Sequence, residues 1–276
     1  MSLSWPVRIV IGLGVLLLVF VCMFPFLWMA LSSVKTLSEL YTVPPSWIPK
    51  MPTLANYQEV LFASNIPRYF INSTVISLGS TAVALSLAIF ASYGFARFTF
   101  RGKGAYQAFI LMGQLLPTAA IIVPLFVTLR VLGLVNTYLG LILVYTIITL
   151  PLCVWMLTSY FRAIPVELEE AAIMDGCTRL GVLFFITLPL SLPGVVAIVI
   201  YAFVTTWNEF IFALVFAQDF RVKTLPIGIA EFSTEFDTDW GAVMAASLIM
   251  TLPVAIIFFA MQKLFVGGLT AGAVKG

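Results

Sequence analysis

Two stretches of this chain, Ile9–Val34 and Ile71–Ala96, contain no charged residue across 26 positions each. A helix rises about 1.5 Å per residue, so either stretch can cross the roughly 30 Å hydrocarbon core of a bilayer. Inside hydrocarbon every backbone N–H and C=O must be satisfied by the chain itself, which leaves helices or closed barrels. Unbroken apolar runs of this length call for helices. Composition agrees: 62% of the 276 residues are hydrophobic and 9% charged, against about a quarter charged in an average soluble domain. Further apolar runs follow, and the chain reads as one all-α integral membrane domain over 1–276. Its six transmembrane helices are expected near 9–31, 71–96, 105–129, 138–161, 192–217 and 241–262. Two longer loops, 32–70 and 218–240, fall on one side; the connector 162–191 and the tail 263–276 fall on the other. The first run exceeds the 7–15 apolar residues of a secretory signal, so it is expected to be retained.

Several function classes drop out. Net charge is +2, too small for a nucleic-acid footprint. Histidine is absent, which removes His-based zinc sites and Ser-His-Asp triads. The three cysteines, Cys22, Cys153 and Cys177, imply no disulfide framework and read as small apolar residues. There is no phosphate-binding P-loop: Lys103 comes nearest, but Arg97 stands where the first glycine belongs. Gly12 and Gly14 reach Leu17 in place of the third glycine of a dinucleotide motif. No cofactor and no metal is expected on this chain. The acids Asp219, Glu231, Glu235, Asp237 and Asp239 in the second long loop lack the glycine and terminal glutamate of a calcium loop and read as a solvated face.

Within the spans, Pro25 is expected to kink the first. Ser80, Ala84, Ala88, Ser92 and Ala96 recur every four positions in the second, and small residues at that spacing let membrane helices approach closely. Pro117 and Pro124, seven apart in the third, free backbone carbonyls; they serve a pathway-lining helix or a simple kink. Prolines 44, 45, 49 and 52 keep the first long loop irregular up to Thr53. Thr53 is placed to cap a short helix with Leu54, Tyr57 and Leu61 on one face, as a lid or as plain loop.

The most polar part of the interior is the connector. Pro165 suits a first helical turn. Glu167, Glu169 and Glu170 then meet the positive end of the helix dipole, and Gly176 sits where a left-handed residue ends the helix. About ten residues make roughly 15 Å of helix, too short to span a membrane. It reads as a knob presented to a partner. The positive-inside rule gives it a side. With both termini inside, the inner segments hold eight basic residues (Arg8, Arg97, Arg101, Lys103, Arg162, Arg179, Lys263, Lys275) and the outer ones six (Lys35, Lys50, Arg68, Arg130, Arg221, Lys223). That puts the connector and the tail in the cytoplasm.

One acid lies at membrane depth, in Trp207-Asn208-Glu209. Such a carboxylate faces a cavity or a partner. Either Asn208 and Glu209 line a translocation path beside the Trp207 ring, or Glu209 lies near the outer interface or is hydrogen-bonded to a neighbouring helix. A stand-alone proton-coupled carrier would need a second such group, and none is seen.

Glu170-Ala171-Ala172, three residues, Gly176, nine residues, then Ile186-x-Leu188-Pro189 matches every fixed position of the EAA loop of ABC-importer permeases. Arg97-x-x-Phe100-x-Gly102-Lys103 resembles the basic turn of carbohydrate permeases. Pro117, Pro124, Gly133, Leu134, Asn136 and Thr137 resemble their third span and the loop after it. Trp207-Asn208-Glu209-Phe210 and Gly268-Leu269-Thr270-x-Gly272-x-Val274-Lys275-Gly276 are similar to the maltose-type (MalG-like) second permease. Cys177 departs from the alanine more usual there. The resemblance implies the type I ABC importer permease fold and a cytoplasmic EAA coupling helix. It implies a heterodimer with a second, homologous permease, an ABC ATPase dimer that holds ATP and Mg, and an extracytoplasmic sugar-binding protein. Coupling to the ATPase would fall to Glu170, Ala171, Ala172, Asp175, Gly176, Ile186, Leu188 and Pro189. The tail residues Gly268, Thr270, Gly272 and Lys275 would approach the ATPase. The chain itself is expected to catalyse nothing. Its cargo would be a di- or oligosaccharide, or alternatively glycerol-3-phosphate, a glycerophosphodiester or another solute, and lipid would surround it.

Overall fold

A computed structural model describes residues 5–234 and 237–273, with side chains described up to residue 262. Among the described residues four helices are long and apolar enough to cross a membrane: α1 (Trp5–Ser33), α2 (Ile66–Arg97), and two more introduced in order below. After α2 come α3 (Lys103–Leu115) and α4 (Thr118–Val131), a pair bent by 99°. Then follow α5 (Tyr138–Ala163), the third long helix, and α6 (Val166–Met174). Next is a second bent pair, α7 (Arg179–Leu190) and α8 (Leu192–Trp207), at 80°. Short helices α9 (Ile211–Phe216) and α10 (Leu225–Ala230) precede α11 (Trp240–Ala273). Counting each bent pair as one span, six spans result.

The apolar runs became these helices, with changes at their ends. α2 starts at Ile66, before the expected 71, and α11 runs on through the expected tail to Ala273. The third and fifth runs are not single rods. Leu116 (ψ 129°) and Pro117 (ψ 133°) are extended, because a proline ring drives the residue before it out of the helical region. Pro117 therefore sits in the break and Pro124 inside α4, so the two do not share one face of one helix. In the fifth run the break falls at Asn208–Phe210.

The chain divides into two compact bodies. One holds the residues up to Arg68 together with Gly228–Leu252. There α1 is exposed along its apolar length, as a lipid-facing helix is. The segment after it is fixed by polar bonds. Asn56 Nδ2 donates to the carbonyls of Ser33 (2.8 Å) and Lys35 (2.9 Å). The Lys35 ammonium donates to the Ser46 carbonyl and lies 4.5 Å from the Trp28 ring centre. The expected Leu54–Tyr57–Leu61 face is not the buried one: Leu54 and Leu61 are exposed, and Asn56 and Val60 are buried. Asn56 turns the helix inward because unpaired carbonyls at the end of α1 need a donor. Thr53 accepts from the Ala55 N–H but does not occupy the cap, which is Leu54.

The other body, Tyr69–Ile227 with the chain from Pro253, carries the packed core. The small-residue stripe of α2 lies against it: Ser80, Ala84, Ala88 and Ser92 are completely buried. The Ser92 hydroxyl donates to the Val154 carbonyl of α5 at 2.9 Å. Gly194 lets α8 approach α5 closely, since a Cβ there would lie 2.3 Å from the Tyr160 ring of α5. Around α5 one apolar cluster gathers Leu141, Tyr145 and Phe216, and another Val154, Leu157 and Phe161.

Two asparagines, unmarked in the sequence as structural, tie loops of this body. Asn72 Nδ2 donates to the carbonyls of Arg221 and Lys223, and its oxygen accepts from Tyr138. Asn136, in the left-handed region (φ 59°), accepts from the N–H groups of Gln218 and Asp219.

Candidate functional site

The connector folds as its residues require. Pro165 occupies the N-cap of α6, one position before the expected first turn, and the helix runs for nine residues. Gly176 follows the C-cap Asp175 with φ 90°. Its N–H donates to the Ile173 carbonyl and the Cys177 N–H to the Ala172 carbonyl, at 3.0 and 2.9 Å. This crossed pair is the Schellman stop, which needs a left-handed residue at that position. Thr178 then caps α7, accepting from the Gly181 N–H at 3.1 Å.

α6 has two faces. Glu167, Glu170, Ala171 and Met174 are exposed, at the i, i+3, i+4, i+7 spacing of one helical stripe. Met174 is 86% exposed, unusual for so large an apolar residue. Asp175, Gly176 and Cys177 extend that surface. Glu169 and Ala172 are buried. Of the expected coupling residues, Ala172 thus faces the chain's own core. Ile186 and Leu188 are half-buried and Pro189 exposed, all on α7.

The buried side contains what the sequence did not single out. Glu169, 1% exposed, sits in a ring of donors. Arg97 Nε of α2 lies 2.8 Å from its Oε1. Thr187 of α7 donates to the same oxygen at 2.7 Å, and Tyr93 of α2 to Oε2 at 3.3 Å. Arg97 Nη2 also donates to the Ile164 carbonyl at the end of α5, at 3.1 Å. Arg97 is therefore not part of an open basic turn, and Glu169 is more than a dipole charge. Removing one member of such a buried pair costs about 3–5 kcal/mol, because the other charge is left without a partner. The signal available in sequence was an arginine ending an apolar run and an acid one residue ahead of the motif.

At the break in the fifth run, Trp207 is buried, stacked on Phe203 (5.4 Å between centroids) and edge-on to Phe70 (5.6 Å). Asn208 is exposed and donates to the Val204 carbonyl at 2.8 Å. Glu209 is half-buried and receives the N–H groups of Phe212 (2.9 Å) and Ala213 (3.0 Å) at the start of α9. Its carboxylate thus takes over donors that the break set free. Pro117, in the break between α3 and α4, and Pro124, on α4, are both exposed. Gly268, Thr270 and Gly272 fall in the last turns of the α11 backbone, while Lys275 and Glu235 lie outside the described residues. Among the described acids, Asp239 caps α11 through the Ala242 N–H, and Asp219 and Asp237 accept from nearby backbone N–H groups. Among the described residues no group of three or more His, Cys, Asp or Glu could hold a metal ion.

α6 is thus an exposed short helix on a buried ionic root, between the continuous α5 and the bent α7–α8 pair. The family described as binding-protein-dependent transport system inner membrane component matches residues 84–270. The chain belongs to that family. The permease is 40% identical over 254 residues to the sulfoquinovosyl glycerol transport system permease protein of Agrobacterium fabrum, covering 92% of this chain and 89% of that protein. It is 39% identical over 272 residues to the trehalose/maltose transport system permease protein of Thermococcus litoralis, covering 98% and 97%. A solved bacterial ABC transporter involved in alginate import superposes with a TM-score of 0.80 at 19% identity, over 96% of the permease and 99% of that chain. The fold is therefore that of an ABC-importer permease, and the chain is a multi-pass inner-membrane component.

Proposed function

We propose that this chain is the permease subunit of an ATP-driven, binding-protein-dependent importer of di- or oligosaccharides. It would carry no catalytic site, pass motor motion through the EAA loop and alternate access across the membrane. The observation that carries the reading is α6 itself: a nine-residue helix exposed on its Glu170–Ala171–Met174 side and rooted on the other. A helix this short does not drive transport, but held at both ends it moves as a rigid piece when pushed. Relatives named for sulfoquinovosyl glycerol and for trehalose/maltose support a sugar cargo. The family description supports an external binding protein. The remaining partners are a second, homologous permease and a cytoplasmic ABC ATPase dimer, with ATP and Mg on the ATPase. Both termini face the cytoplasm, which gives the inner side the larger share of Lys and Arg.

The test is purification of the tagged chain in mild detergent, with mass spectrometry of what accompanies it. A second permease and an ABC ATPase are expected. The neighbouring binding protein is then titrated with trehalose, maltose, sulfoquinovosyl glycerol and glycerol-3-phosphate. A chain that purifies alone and stable sinks the reading, and saturable binding of glycerol-3-phosphate with no sugar bound replaces the cargo.

A further inference from the structure

We propose that the buried Arg97–Glu169 pair, with Thr187, is the joint that holds the coupling helix to the second membrane helix, making these three positioning residues for transport. The inference rests on the importer reading above. The residues meet from four places: Arg97 and Tyr93 on α2, Glu169 on α6, Thr187 on α7, and the Ile164 carbonyl at the end of α5. Covalent connection already ties α6 to α5 and α7, which are its neighbours in the chain. It does not tie α6 to α2, which lies 72 residues away along the sequence.

The kind of contact matters. Apolar packing resists compression but gives little resistance to parting, because dispersion falls away over about an ångström. A transport cycle has to push the membrane helices one way and draw them back. A charge-assisted bond in a medium of low polarity resists separation over a longer range. Glu169 Oε1 takes both the guanidinium and the Thr187 hydroxyl, so one oxygen fastens α2 and α7 together. The Arg179 guanidinium, 5.9 Å from the Phe98 ring, adds a weaker link between the start of α7 and the residue just after α2. The Schellman stop at Gly176 fixes how α6 leads into α7, so the unit turns as one body.

The experiment compares wild type with Glu169→Gln, Arg97→Gln, the double variant and the milder Thr187→Val, each in the full complex reconstituted with ATPase and binding protein. Labelled trehalose is the transport probe. Spin labels on Cys177 and on a cysteine replacing Leu78, with Cys22 and Cys153 changed to alanine, report the distance between the connector and α2. In wild type that distance should stay fixed when ATP and vanadate are added. In the double variant it should change, and trehalose moved per ATP hydrolysed should fall about tenfold, a typical size for a coupling effect. The double variant should be no worse than the worse single one, since the pair acts as a unit. Thr187→Val should show the same loss to a smaller degree.

An unchanged distance and an unchanged yield per ATP in assembled complexes overturn the proposal. So does loss of membrane assembly in step with loss of uptake across all four variants, which would make the pair a support of the fold alone. A wild-type complex with no ATP response at all would instead sink the importer reading.

Discussion

Two glycines separate a conformational demand from a steric one. At Gly176 the backbone is left-handed and no atom lies within 4 Å of where a Cβ would stand. A side chain fits there, but the left-handed conformation costs about 1–2 kcal/mol for most other residues, less for Asp or Asn. Gly176→Asp should therefore leave the chain in the membrane and the ATPase active, while uptake falls; normal uptake would count against the angle of the connector mattering. At Gly194 the backbone is ordinary helix, but a Cβ would enter the Tyr160 ring. Gly194→Ala should destabilise by about 1–3 kcal/mol as α5 and α8 are forced apart, read as a lower unfolding midpoint in detergent. Glu39 gives a pH-dependent case. The Lys50 N–H (2.9 Å) and the Ser46 hydroxyl (2.8 Å) bond its carboxylate and hold its pKa below the ordinary value. A lowered folded-state pKa means stability that is complete above the ordinary range and lost as pH falls through the lowered value. Hydrogen exchange over 39–51, corrected for intrinsic rates, should speed up on acidification in wild type and change less in Glu39→Gln.

At the scale of elements, the breaks before α4 and before α9 show where the sequence stopped being legible. An uncharged run declares membrane depth, and α1, α2, α5 and α11 follow from it directly. Hydropathy averages over a turn or more and does not register a bend at one residue. The break before α4 had a local sign, since Leu116 precedes a proline, but a proline inside a membrane helix is also tolerated, as Pro151 is in α5. The break before α9 had no such sign: Asn208 and Glu209 read as polar residues on a continuous helix. What turned them into a break is tertiary, with Trp207 buried against Phe203 and Phe70 and the Glu209 carboxylate collecting freed N–H groups. The α6 cap and stop, by contrast, depend on residues within twelve positions of each other, and the sequence placed both within one residue. The Arg97–Glu169 bond was out of reach because it joins residues far apart in the chain. Glu209 yields the prediction at this scale. Glu209→Ala leaves two N–H groups at the start of α9 without an acceptor, worth about 1–3 kcal/mol. Faster exchange of the Phe212 and Ala213 amides should report it, with Glu209→Gln intermediate, because glutamine keeps one acceptor oxygen where the carboxylate offers a separate oxygen to each N–H. Unchanged exchange in the alanine variant would show that the carboxylate does not hold that helix.

At the scale of the whole molecule, the exposed surface is of two kinds and calls for two kinds of neighbour. Along α1, Leu13, Leu16 and Phe20 are each more than half exposed, on an element apolar all round; lipid satisfies such a surface without specificity. On α6 the exposed set is mixed, with Glu167 and Glu170 beside Met174. An acid flanking an exposed thioether is poorly suited to hydrocarbon and well suited to a protein cleft with a basic rim, where a flexible apolar side chain fills the pocket and the charge sets the approach. Met174→Glu adds a third negative charge to this face where an apolar contact is needed. If Met174 is a central contact, its loss should cost at least about 2 kcal/mol of docking, roughly a thirtyfold weaker hold on the ATPase. Because the side chain touches little of its own chain, the variant should insert and unfold like wild type. Met174→Leu, which keeps size and polarity, should retain the ATPase through purification. Co-purification of the ATPase with Met174→Glu at wild-type yield would move the docking face off this side of α6 and leave the exposed acids to bear the contact alone.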